Sequence, residues 1–271
     1  MVPPARRLAL GIEYDGGAFS GWQSQRRPCL GTVQEALEAA LAAVADHPVS
    51  TVCAGRTDAG VHASAQVVHF DTTAIRPDRA WVLGTNTHLP RGVAVQWARP
   101  VEDHFHARFS ALSRSYRYLL LNRRQRSALW DARCWQLRHA LDAGAMERAG
   151  RALIGEQDFS AFRGSGCQSR TPMRRVESLQ VRRAGDCVAI DIRANAFLLH
   201  MVRNITGALV KVGTGERSED WIAALMASRD RRQAAETAPP QGLYLVGVAY
   251  AGEWGIPSRV PPPVMDGLLP A

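Results

Sequence analysis

The chain has 271 residues, 46% of them hydrophobic and 21% charged, enough for one large or two modest domains of an ordinary soluble protein. Its apolar runs are too short for a membrane span, its N-terminus lacks the apolar core of a secretory signal, and its five cysteines form no Cys-x-x-Cys pair. A cytoplasmic protein with free thiols is expected, and its net charge of +8, carried by arginines with Lys211 the only lysine, favours a polyanionic partner.

The first predicted element is an alternating strand over Leu8–Tyr14, followed by a loop rich in glycine and glutamine. A helix is expected from about Thr32 to Asp46, where Val33, Leu37, Leu41 and Val44 recur on one stripe. Strands near 49–55 and 66–71 flank the run Cys53–His62. A second helix near 77–86 ends at Leu89-Pro90, and a strand at 93–98 follows. That order, β-α-β-β-α-β, is the split arrangement of ferredoxin-like sheets.

The second half repeats the pattern. A strand is predicted at 115–121 and a helix at about 142–154. A hairpin pairs about 174–183 with 187–193 through Ala184-Gly185-Asp186. Helices at 197–212 and 218–227 precede a strand at Leu243–Val248. The expected fold class is α+β: two ferredoxin-like halves with antiparallel sheets and a central cleft. The expected division is 1–103 and 104–252, with a Pro-rich tail at 253–271.

The chemistry is expected in Cys53–His62, which sets Asp58 between Gly55 and Gly60 and two residues after Arg56. Glycines permit a sharp turn or a close approach to a ligand, so the loop suits a carboxylate held ionised against a substrate. The same pattern also suits an aspartate that caps a turn and pairs with Arg56. In the helix at 197–212, Leu198, Val202, Ile205, Leu209 and Val212 form a buried face that His200, Arg203 and Asn204 interrupt. A guanidinium in such surroundings calls for an anion, either Asp58 or a ligand phosphate, unless Arg203 lies on a solvent-facing edge.

Tyr116 and Tyr118 share one face of their strand among Arg114, Ser115 and Arg117, a setting suited to base stacking. Tyr118 is assigned to the core and Tyr116 to the cleft. Two basic loops, Trp22–Arg27 and Phe162–Pro172, are candidates for phosphate contact, and Cys167 in the second has no nearby histidine to make it a nucleophile. His104 and His106 lack supporting ligands at metal-site spacing, so no metal is expected. An RNA chaperone and a metal-dependent phosphoesterase using His104, His106 and Asp58 are the rival functions.

Together these pieces resemble the tRNA pseudouridine synthase A family over nearly the whole chain. The matching segments are Gly11–Gly16, Gly21–Gln23, Ala54–His62, Phe105–Arg108, Tyr116–Tyr118, Cys167–Ser169, His200–Ile205 and Gly242–Val246. Ala65 and Thr87-His88 depart from the family's usual residues. The resemblance implies the pseudouridine synthase fold and a cofactor-free isomerase of uridines at positions 38, 39 and 40 in the tRNA anticodon stem-loop. It implies Asp58 as nucleophile, paired with Arg203, and Tyr116 stacking on the flipped base. Arg56 would fill the gap in the RNA stack, and Leu243 and Leu245 would wall the pocket. It also implies a homodimer.

Overall fold

The structure, a computed structural model, describes residues 5–24 and 31–257. Gln25, Arg26 and Arg27 of the first basic loop, Cys29, and the Pro-rich tail from Ser258 onward lie outside the described residues.

In chain order the elements are β1 (Arg6–Tyr14), α1 (Val33–Ala45), β2 (Val52–Cys53), β3 (His62–Thr72), α2 (Asp78–His88), β4 (Val93–Val101) and β5 (Ala111–Asn122). There follow β6 (Trp135–Leu137), α3 (Ala143–Gly150), β7 (Gly155–Asp158), β8 (Met173–Ala184), β9 (Cys187–Ala194), α4 (Met201–Gly213), α5 (Trp221–Ser228) and β10 (Leu243–Tyr250). The class is mixed α+β. The described residues up to Leu112, together with those from Leu245 onward, form one compact unit, and Ser113–Tyr244 form the other.

In the first unit the strands lie in the order β4-β1-β3-β10, with β2 also paired to β3. The pairs β1/β3, β1/β4 and β2/β3 are antiparallel. Leu8, Leu10 and Ile12 of β1 bury completely with Leu37 and Leu41 of α1, Phe70 of β3 and Trp81 of α2. α1 starts where a capping box predicts: Thr32 Oγ1 accepts from the Glu35 amide and Glu35 accepts from the Thr32 amide.

β2 is only two residues long, against the strand expected at 49–55. The reason lies in its flanks. Glu38 of α1 takes the Thr51 amide at 2.7 Å, and past Ala54 the backbone bonds to the Gln66 side chain instead of a neighbouring strand.

In the second unit the order is β5-β9-β8-β7, antiparallel throughout, with the short β6 parallel to β5. α3 packs on α4 and on β8. Tyr118, Leu120, Phe159, Phe162, Leu209 and Ile222 are fully buried there. Three arginines of this sheet pair with its own carboxylates. Arg117 and Arg182 both reach Asp191 at 2.7 Å, and Arg193 reaches Glu177 at 2.7 Å. Arg117, next to Tyr116 in the sequence, thus has a carboxylate partner within its own sheet.

α4 begins at Met201, four residues later than the expected start at 197. His200 takes a left-handed conformation at φ 59°, and the Asn195 side chain accepts the Arg175 and Ala196 amides, diverting the chain before it enters the helix.

Candidate active site

In the first unit the Asp58 loop is clamped by its neighbours. β2 delivers Cys53 beside Val68, and the Ala54 amide donates to the Val67 carbonyl at 2.8 Å. Gln66, fully buried on β3, donates to the Gly55 carbonyl at 2.6 Å and accepts the Gly55 amide at 3.4 Å. Thr57 is held from two sides: its hydroxyl meets the Tyr14 hydroxyl at 2.8 Å, and its carbonyl accepts the Trp22 amide at 3.0 Å. After Asp58 the chain turns, the Val61 amide bonding to the Asp58 carbonyl at 3.1 Å with Gly60 at φ 79°.

The segment Asp15–Trp22 forms the back wall of this loop. A side chain at Gly16 would begin 2.0 Å from the Val61 carbonyl oxygen. One at Gly21, whose φ is 90°, would begin 2.9 Å from the Thr57 carbonyl oxygen and 3.1 Å from the Asp58 carbonyl carbon. The Gly16 amide also donates to His62 Nδ1 at 3.1 Å. The outcome is a sharp alternation. Arg56 is exposed, Thr57 is buried as an anchor, and Asp58 is half-buried. The backbone around the carboxylate is set before any ligand arrives, a condition for positioning a reacting group.

In the second unit Arg203 sits half-buried on α4. Its Nε donates to the Ala238 carbonyl at 2.8 Å, and the Ala238 amide donates back to the Arg203 carbonyl at 3.2 Å. The next residue, Asn204, is fully buried and organises the same strap. Its Oδ1 accepts from Thr237 Oγ1 at 2.7 Å and from Arg231 at 3.0 Å, and its amide donates to the Phe162 carbonyl at 2.8 Å. The strap also takes the Tyr118 hydroxyl, which donates to the Pro239 carbonyl at 2.6 Å. Burial pushes the Tyr118 phenol far up from its ordinary range, the charge of Arg203 opposing.

Tyr116 is 8% exposed and meets Phe197 edge-on, the ring centroids 5.1 Å apart. Leu243 and Leu245 are both buried. Asp58, Arg56 and Leu245 therefore belong to the first unit, and Tyr116, Arg203 and Leu243 to the second.

Gln66 and the strap Arg231–Pro239 are parts of the two sites that sequence reasoning missed, and Tyr14, Gly16, Gly21 and Asn204 stood in segments it singled out without a supporting role assigned to them. Gln66, a lone amide in an apolar strand, was the most readable signal, because a buried amide must find partners. The loop Phe162–Pro172 is tied down from within: Arg163 donates to the Cys167 and Ser169 carbonyls at 2.8 Å each. His104 packs against Trp254 with the rings tilted by 58°, and His106 Nδ1 accepts the Arg108 and Phe109 amides at 3.2 Å. Among the described residues no cluster of three or more His, Cys, Asp or Glu side chains could hold a metal ion, and no helix is long and apolar enough to cross a membrane.

A sequence model of the family described as tRNA pseudouridine synthase matches residues 11–110 and 149–251, which include the Asp58 loop, the start of α4 and the strap. Curated relatives named tRNA pseudouridine synthase A match over nearly the whole chain. The protein of Xanthomonas euvesicatoria is 54% identical over 254 residues, 94% of this chain and 99% of its own. That of Dechloromonas aromatica is 53% identical over 97% of this chain and 99% of its own, and that of Coxiella burnetii 53% identical over 94% and 97%.

Proposed function

This chain belongs to the tRNA pseudouridine synthase family, isomerases of uridine in tRNA, and we propose that it performs that reaction with Asp58 as its nucleophile. The observation that carries the reading is the clamp on Thr57, which fixes the backbone on which a half-buried carboxylate stands. Isomerisation breaks the C1′–N1 bond, turns the uracil and joins C5 to C1′, with the C5 proton lost and N1 gaining one. Nothing is oxidised, so the step needs no electron carrier. It needs a carboxylate to carry the reacting fragment and a pocket that retains the detached base.

Arg203 keeps the carboxylate ionised and aimed, and its bond to Ala238 limits the rotamers it must lose on doing so. Tyr116 stacks on the flipped uracil, with Leu243 and Leu245 as the apolar wall. Arg56, exposed beside Asp58, fills the space the extruded base leaves, offsetting part of an unstacking cost of a few kcal/mol. Each half is read as a ferredoxin-like repeat. The substrate uridines are those at positions 38, 39 and 40 of the anticodon stem-loop, and the working form is a cytoplasmic homodimer.

Release of tritium from tRNA carrying [5-3H]uridine tests this. The purified protein is expected to release label from a transcript with uridine at positions 38 to 40. Equal release from a transcript with cytidine at all three positions would overturn the assigned target, and no release from either would overturn the activity.

A further inference from the structure

One surface feature of the first unit lies outside the reaction described above. Phe109 is 75% exposed, yet it is held rigidly. Its ring stacks on His106 with centroids 4.2 Å apart and planes 27° apart, and the Arg108 guanidinium carbon lies 5.5 Å from the ring centre. The turn beneath is cross-braced. His106 Nδ1 accepts the Arg108 and Phe109 amides, the His106 amide donates to Ser110 Oγ at 3.0 Å, and the Ser110 amide returns to the His106 carbonyl at 2.8 Å.

Behind it a column of rings runs inward. His106 packs on His69 at 4.8 Å and His69 on the fully buried Phe105 at 6.1 Å, while the Ala107 amide donates to His69 Nδ1 and the Tyr250 hydroxyl to the Ala107 carbonyl. A fold gains nothing by bracing a large apolar ring in water. Pre-organisation of this kind lowers the entropy cost of binding a flat partner.

We infer that Phe109, backed by His106 and flanked by Arg108, is a stacking platform for an unpaired nucleobase of the tRNA, separate from the pocket of the reacting uridine. The charge around it fits RNA. Arg56 of the Asp58 loop and Arg108 both lie within electrostatic reach of the buried Cys53 thiol, so a guanidinium from the platform and one from the loop contribute positive charge to the same neighbourhood. A ring face accepts any base, and the neighbouring guanidinium serves its phosphate or stacks in turn. The inference rests on tRNA being the substrate and is independent of which residue is the nucleophile.

Equilibrium binding of a full tRNA transcript to Phe109→Ala and Phe109→Trp tests it, with the isolated anticodon-stem duplex as a second ligand. Phe109→Ala is expected to bind tRNA about tenfold more weakly, Phe109→Trp as tightly as the parent, and both proteins to bind the duplex alike because its bases are already stacked. Unchanged tRNA affinity in Phe109→Ala, or an equal loss on the duplex, would overturn the platform. Light scattering supplies the other arm: a lower oligomeric mass for Phe109→Ala would make this face a contact between copies of the chain instead. Should the parent protein bind tRNA but make no pseudouridine, the activity reading would fail while the affinity comparison still decided the role of Phe109.

Discussion

The hydroxyls of Tyr14 and Thr57 meet at 2.8 Å in the interior of the first unit, tying the last residue of β1 to the residue immediately before Asp58. Gln66 joins the same group, its Nε2 lying 3.4 Å from the Tyr14 hydroxyl and 2.6 Å from the Gly55 carbonyl. Three polar side chains from three parts of the chain thus fix one loop. The Arg-Thr-Asp order has a physical meaning: the middle residue anchors so that its neighbours face outward.

Tyr14→Phe removes one hydroxyl from that group. The expected cost is about 1 kcal/mol of stability, the net worth of a buried hydrogen bond. Activity should fall further, through kcat more than KM, because Thr57 is released beside the carboxylate. Urea unfolding together with single-turnover kinetics separates the two effects, and a stability loss with unchanged kcat would make Tyr14 a purely structural residue.

Gly21→Ala forces a side chain into a left-handed backbone and against the Thr57 carbonyl. A loss of roughly 1–3 kcal/mol is expected, accompanied by a fall in turnover. Gly31→Ala, where nothing lies within 4 Å and φ is ordinary, is the matched control and should be silent in both measurements.

Stability should also depend on pH through His69. Its imidazole is pushed down from the usual 6.5 to about 4, first by burial and then by the charges of Arg7 and His106, with Asp71 opposing. Between those two values the unfolded chain binds a proton that the folded chain refuses. The contribution is therefore complete above pH 6.5 and lost as pH falls towards 4, at about 3 kcal/mol in all. Unfolding free energies at pH 7.5, 5.5 and 4.5 check this, and His69→Gln, which keeps an acceptor but cannot titrate, should show a flatter profile. An equally steep profile in the variant would assign the loss to other groups.

Arg231→Ala tests the strap behind Arg203. The guanidinium bonds to Asn204, Thr237 and the Ala235 carbonyl, so its loss leaves the buried Asn204 Oδ1 with Thr237 as its donor and removes two half-buried contacts, at about 1 kcal/mol. With Ala238 loosened, Arg203 loses its fixed partner, and kcat should drop while tRNA affinity holds. A loss confined to stability would separate the strap from the reaction.

Much of the fold was legible because apolar periodicity and burial agree. Val33, Leu37 and Leu41 are fully buried on α1 while Val44, the fourth of the stripe, is half-buried, and Leu198, Val202, Ile205, Leu209 and Val212 all bury as their spacing requires. What the residues concealed were long-range polar contacts, which leave no periodic trace. Nothing local at Ser50-Thr51 announces that Glu38 will capture the strand, and nothing at Asn195 announces that its side chain will delay α4 to Met201. The residues proposed to react drew notice in the sequence because an Asp between glycines and an Arg within an apolar helix are locally anomalous. Its supports were hidden for the opposite reason: Gly21 looks like any loop glycine until Thr57 is packed against it.

The central claim is most directly tested by Asp58→Asn in a single-turnover assay of pseudouridine formation, with tRNA affinity measured on the same protein. The substitution removes charge and nucleophilicity while keeping shape. The account expects product formation to fall by roughly 10⁴-fold or more with affinity within about threefold of the parent. Turnover close to the parent rate would contradict it.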